Sequence, residues 1–180
     1  MATALLVVDV QRGMFAVPDE YQPHDGPAAV ARIRGLVDRA RAADVPVFFV
    51  QHDGGEGDPL AAGSPGFAIV PELTPLASED VTVKREVDAF HATGLTQKLR
   101  DAGVDHLVVC GMQTDMCINA AVRAAAGRGF GVTLVSDAHT TFGTAQSPAE
   151  RIIAEHNEAL GAIAAITPSA EIAFGAADTQ

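Results

Sequence analysis

The sequence predicts an α/β fold on a parallel sheet, and three observations carry that expectation. Ala4-Leu5-Leu6-Val7-Val8 is an unbroken apolar run, the pattern of a strand buried on both faces by helices. Short β-branched runs then alternate with stretches of helical periodicity, without an internal repeat. Successive strands are also far enough apart for the right-handed crossovers that parallel pairs require. At 180 residues, 48% of them hydrophobic, the chain suits one three-layer α/β/α domain over 1–180, with no linker.

After the first strand comes a turn-rich loop over 13–27. Residues 28–43 then place Val30, Ile33, Val37 and Ala40 at near-helical spacing, with arginines on the other face. Residues 45–51 make the second strand, entered at Pro46. The stretch 52–75 is dense in Gly, Pro, Asp and Ser, and a loop that long is usually a wall or lid over a site. A third strand at 81–84 and a helix at 95–102 follow. Strands at 106–110, 131–136 and 162–166 complete the sheet, with helices at 114–128 and 148–160. Ser147-Pro148 is a good helix start, because a proline at the first helical position gives up only an N–H that has no partner there.

Three strand ends carry chemistry. Cys117 falls in the first turn of a helix that follows a strand, where unpaired N–H groups and the helix dipole favour a thiolate. Its pKa is therefore expected to be depressed; the bland alternative is a cysteine that merely packs. Asp9 ends the first strand, where open parallel sheets bind ligands, unless it only caps the next turn. Lys84 ends Val81-Thr82-Val83; alone, a lysine there is usually a solvated edge residue. Together they suit acyl transfer, as base, electrostatic stabiliser and nucleophile.

These residues sit in motifs that resemble the isochorismatase-like cysteine hydrolases, a superfamily that includes nicotinamidases, N-carbamoylsarcosine amidases and ureidoacrylate amidases. The motifs are Asp9-Val10-Gln11 after an apolar strand, Lys84 followed by Ala89-Phe90 and Thr93-Gly94-Leu95, and Gly111-Met112-Gln113-Thr114-Asp115-Met116-Cys117. They occur in the expected order, and the likeness covers roughly residues 4 to 168. The resemblance implies a Rossmann-like six-stranded sheet in the order 3-2-1-4-5-6 and an Asp9–Lys84–Cys117 triad. It also implies a cis peptide at Met112–Gln113 and an oxyanion hole from the backbone N–H groups of Gln113 and Cys117. In that order the third strand lies two positions from the first, about 9–10 Å away, so Lys84 must reach in from a curved strand end.

Composition narrows the partners. A net charge of −11 argues against nucleic acid and anionic membrane surfaces but says little about the substrate, which the resemblance implies is a small molecule. No apolar run approaches ~20 residues and no charged leader opens the chain, so the expected compartment is the cytoplasm. Two cysteines without Cys-x-x-Cys spacing make no disulfide framework, and Cys110 reads as core. A short, Ala-rich, helix-faced chain with this resemblance is expected to form a homodimer or homotetramer.

Around the triad, Phe15, His52, Phe67 and Phe90 are candidate pocket residues, with core filling an equal alternative for the phenylalanines. Related nicotinamidases carry Asp-x-His…His as a metal site. Here the order is Gln51-His52-Asp53 and the next histidine is His91, too few ligands for a protein-held metal, so neither metal nor cofactor is expected. His139 reads as a loop stabiliser, and His91, His106 and His156 have no constellation around them. Gly54-Gly55-Glu56-Gly57 lacks the spacing of a phosphate loop. Three functions remain open: a metal-free hydrolase of a carboxamide, ureido or lactam bond; an isochorismatase-type vinyl-ether hydrolase; and a catalytically idle binding or assembly module on the same fold.

Overall fold

The computed structural model describes residues 2–18 and 21–175. Its strands are β1 (Thr3–Val8), β2 (Val47–His52), β3 (Asp80–Lys84), β4 (His106–Met112), β5 (Gly131–Thr140) and β6 (Ala165–Thr167). All pair in parallel, in the order β3-β2-β1-β4-β5-β6. Helix α1 (Gly26–Ala42) covers one face; α2 (Leu95–Asp101), α3 (Asn119–Gly127) and α4 (Ala149–Leu160) cover the other.

The apolar run of β1 explains this layering. Alternate side chains point to opposite faces, so Leu6 and Val8 pack with Leu95, Leu99, Ile118 and Val122, while Leu5 and Val7 pack with Ile33, Leu36 and Val37. All four β1 residues are essentially inaccessible. Burying each such side chain contributes about 1.5–3 kcal/mol. The chain reverses its sheet direction between β1 and β4, and the crevice at that switch point opens at the carboxyl ends of the strands.

Several boundaries differ from those the sequence suggests, and three have a visible cause. The stretch 114–128 splits into a π-type turn, Thr114–Ile118, and α3, with the Ile118 N–H donating to the Gln113 carbonyl at 3.0 Å. β5 continues to Thr140: the ladder with β4 slips between Val109 and Gly111, and pairing then resumes at Gly111–His139 and Met112–Thr140. β6 begins at Ala165 rather than 162, because Ile163 and Ala164 N–H groups still bond back to Leu160. Among the described residues no helix is long and apolar enough to cross a membrane.

Candidate active site

Four segments bring the site together at the switch point. β1 ends at Val8, and Asp9 follows with φ 53°, a left-handed conformation uncommon for a residue with a Cβ. Its N–H donates to Val50 of β2 at 2.9 Å, and its carbonyl accepts the Gln11 N–H at 3.0 Å. The chain thus turns over the sheet edge with the Asp9 side chain lining the crevice.

On the other side, β4 sets Gly111, its penultimate residue, against Val8. A Cβ at Gly111 would lie 2.0 Å from the Val8 carbonyl oxygen, and φ is 128°, so only glycine lets the strands come this close. The next peptide, Met112–Gln113, is cis, as the resemblance implies. The π-type turn then delivers Cys117 to the crevice floor. His139 holds that turn to α4: Nδ1 lies 2.8 Å from Thr114 Oγ1 and Nε2 lies 2.9 Å from Asn157 Oδ1. Burial pushes the His139 pKa down, which keeps the ring neutral.

Lys84 spans the two-strand gap. Val8 aligns with Val50 and Val50 with Thr82, so Lys84 stands two residues further along, beside His52, and reaches back over the end of β2. Its Nζ lies 2.8 Å from Asp9 Oδ2, with both side chains fully inaccessible. The same ammonium donates to Glu86 O at 3.0 Å and Cys117 Sγ at 3.2 Å, and sits 3.4 Å from His52 Nδ1. The Asp9–Lys84 approach is an ion pair lying off the hydrogen-bonding direction: neither Asp9 oxygen accepts a hydrogen bond among the described residues. The three sequence candidates therefore meet at one point.

The electrostatics differ from the expectation of an acidified thiol. Burial, then the Asp9 carboxylate, pushes the Cys117 thiol up to about 12, and Lys84 only partly offsets them. Burial also raises Asp9, over the opposing pull of Lys84 and Cys117. Lys84 is itself opposed by burial, yet the joint attraction of Asp9 and Cys117 holds its pKa above the ordinary value. In a site this closed, desolvation of the thiolate outweighs the favourable Lys84 charge. Cys110, with no exposed surface, is raised by burial alone, and its Sγ faces the Leu6 carbonyl.

The crevice above the triad encloses about 320 Å³. Gln113, His52 and Asp58 give it polar atoms, and Met14, Leu60, Val87, Met116 and Phe142 give it apolar walls. The loop after β2 supplies the wall at Asp58, Pro59 and Leu60. It is tied down by Gln11, whose Nε2 donates to the carbonyls of His52 and Phe67 and whose Oε1 accepts the His52 N–H.

Of the proposed pocket residues, His52 lines the crevice and the three phenylalanines do not. Phe15 borders a separate hollow with Arg12, Pro27, Val30 and Val70, and packs on the α1 side of the core. Phe67 offers only its carbonyl, which binds the Gln11 and Gln51 amides. Phe90 is buried against Phe130 with the Arg128 guanidinium 5.0 Å from its ring centre. The apolar wall was missed because Met14, Val87, Met116 and Phe142 stand singly in turns, with no periodicity to mark them.

Asp53 is a loop clamp. Its Oδ1 accepts the Ala62 and Gly55 N–H groups at 2.9 and 3.1 Å, and Oδ2 pairs with Arg85 at 3.0 Å. Those backbone donors and Arg85 hold its pKa low. Among the described residues no three His, Cys, Asp or Glu side chains converge as metal ligands, so the paired-histidine metal of nicotinamidases has no donor set here.

Comparison with known proteins identifies the family and the fold. The isochorismatase domain family model matches residues 3–163. A streptothricin hydrolase from Streptomyces noursei is 40% identical over 149 residues, covering 81% of this chain and 52% of its own length. A ureidoacrylate amidohydrolase from Methylobacterium radiotolerans is 32% identical over 173 residues, covering 76% of this chain and 67% of its own. The crystal structure of an isochorismatase from Pseudomonas putida KT2440 superposes with a TM-score of 0.88 at 30% identity, covering 95% of this chain and 90% of that one. The chain spans about half the length of the streptothricin hydrolases it matches. With the domain model spanning nearly all of the chain, this protein belongs to the isochorismatase family.

Proposed function

We propose that the chain is a metal-independent cysteine hydrolase that cleaves a C–N bond of a small carboxamide, ureide or lactam. One observation carries the reading: a buried ammonium stands 2.8 Å from a carboxylate and 3.2 Å from a thiol on the crevice floor. The names of the streptothricin hydrolase and ureidoacrylate amidohydrolase relatives support it.

Burial and the neighbouring Asp9 carboxylate favour the protonated thiol over a preformed thiolate in the resting site. Asp9 instead takes the proton as Cys117 Sγ bonds to the carbonyl carbon. Its burial-raised pKa makes it a better base than an ordinary carboxylate, and its Oδ1, away from the Lys84 ion pair, has no hydrogen-bond partner among the described residues. The carbonyl electrons move to oxygen, and the backbone N–H groups of Cys117 and Gln113 receive that oxyanion; one such donor is typically worth ~3 kcal/mol in the transition state. Collapse breaks the C–N bond, and Asp9 returns the proton to the departing nitrogen. Asp9 then deprotonates a water that attacks the thioester, releasing the acid and the thiol. Lys84 keeps the charge of this pair balanced throughout.

An ammonia-release screen over amides, ureido acids and lactams tests the reading, with Cys117→Ala and Cys110→Ala as controls. Turnover is expected to fall at least ~10³-fold in Cys117→Ala, with an unchanged fold, and to persist in Cys110→Ala. Near wild-type release by Cys117→Ala would remove the thiol mechanism. The Pseudomonas putida isochorismatase favours a second reading, vinyl-ether cleavage. Turnover of isochorismate that survives Cys117→Ala would decide for it.

A further inference from the structure

We infer that the crevice selects substrates with a positively charged arm and disfavours those bearing a carboxylate near the scissile carbonyl, with Asp58 as the residue that sets this preference. The inference rests on the proposed function only in placing the reacting carbon at Cys117.

The carboxylate is fixed on the wall. Asp58 Oδ1 accepts the Leu60 N–H at 2.7 Å, and the Asp58 backbone carbonyl accepts the Ala61 N–H at 2.9 Å. The side chain lies over Gly54, where an added Cβ would come within 2.2 Å of Asp58 Cγ. One carboxylate oxygen is thus committed to the turn, and the crevice is lined by Asp58 above and by Asp9 at its floor.

The nearby cations are either paired or lie outside the crevice lining. Lys84 is enclosed by Asp9, Cys117, the Glu86 carbonyl and His52. Arg85 pairs with Asp53, and Arg12 borders the separate hollow beside α1. A substrate carboxylate entering this crevice would meet Asp58 with no free ammonium or guanidinium among the lining residues. An ammonium or guanidinium arm would instead find a fixed counter-charge beside the apolar surface of Leu60 and Val87. Asp58 is itself exposed to solvent, so the preference is the modest one of a screened pair, attraction for the cation and repulsion of the anion adding in the ratio between them.

The test needs no substrate. Cys117 is modified by three methanethiosulfonates, with methyl, trimethylammonium-ethyl and sulfonate-ethyl groups. In each case the thiolate attacks the sulfenyl sulfur, an S–S bond forms and methanesulfinate leaves. Rates are measured in 0.15 M salt, where the distant net charge of −11 is largely screened, and divided by the rates of a free small thiol. Peptide mapping separates Cys117 from Cys110. The cationic reagent is expected to outrun the anionic one about tenfold. Asp58→Asn and Asp58→Ser, which keep an oxygen for the Leu60 N–H, are expected to shrink that ratio at least about threefold. A ratio favouring the anion, or one unmoved in both variants, overturns the inference. Because the readout is labelling, it stands or falls independently of whether Cys117→Ala abolishes hydrolysis.

Discussion

Replacing Lys84 by methionine keeps the bulk of the side chain and deletes its charge, leaving the inaccessible Asp9 carboxylate without its counter-charge. Breaking a buried ion pair from one side typically costs about 3–5 kcal/mol. For a chain of 180 residues that lowers Tm by about 6–20 °C. Asp9 has one escape, protonation, and burial already raises its pKa despite Lys84. Removing the ammonium must raise it further. A carboxyl with a raised folded pKa binds its proton more tightly in the folded state. Its stabilising effect is complete below the unfolded pKa of about 3.9 and is lost as pH rises through the folded value, each pH unit between the two being worth about 1.36 kcal/mol. Lys84→Met is therefore expected to be closer to wild type at pH 5 than at pH 8. Adding Asp9→Asn removes the orphaned charge, so the double variant should regain stability while remaining inactive. Urea unfolding of the three proteins at both pH values checks this. A loss under ~1 kcal/mol for Lys84→Met at pH 8, the same loss at pH 5, or a double variant no more stable than the single would refute the buried-pair reasoning.

Two further outcomes follow from the site. Phe142→Ala should raise KM for any substrate found, whereas Phe90→Leu should lower the unfolding free energy by about 1 kcal/mol and leave KM unchanged; reversed effects would place the aromatic wall elsewhere. Exhaustive chelation should leave turnover intact, since Asp53 already serves the loop and Arg85; loss restored by stoichiometric zinc would overturn metal independence.

The layers of this fold were legible because burial on both faces leaves a mark that needs no partner to be read. Ala4 to Val8 is apolar at every position, which neither a helix stripe nor a one-sided strand produces. Boundaries were less legible where tertiary contacts decide them. Ser136-Asp137 looks like a strand end, yet β5 runs on because the Asp137 carboxylate is taken up by the Ser169 N–H and hydroxyl, and His139 pairs with Gly111 after the slip. Gln11, three residues past the end of β1, gave no hint of its work. A buried amide that satisfies three backbone groups across β2 and the following loop is visible only once those partners are assembled.

The same reasoning separates what motifs reveal about a site from what they do not. Asp9, Lys84 and Cys117 could be named because each ends a strand or opens a helix, and the sheet carries all three to one edge whatever the loops do. Pocket walls have no such anchor. Met14 and Phe15 are neighbours in one short turn, yet the first faces the crevice and the second the α1 side of the sheet, so a rotation of one residue decides which of them meets a ligand. Phe90 presented the same ambiguity, and its burial against Phe130 follows from a phenylalanine 40 positions away. Charge states obey the same limit. The position of Cys117 points to a low pKa and its burial to a high one, and the balance depends on how far the surrounding crevice wall, to which Leu60 and Phe142 belong, keeps water from the thiol. Opening that wall with Leu60→Ala should therefore lower the thiol pKa toward its ordinary value, in the direction opposite to Lys84→Met.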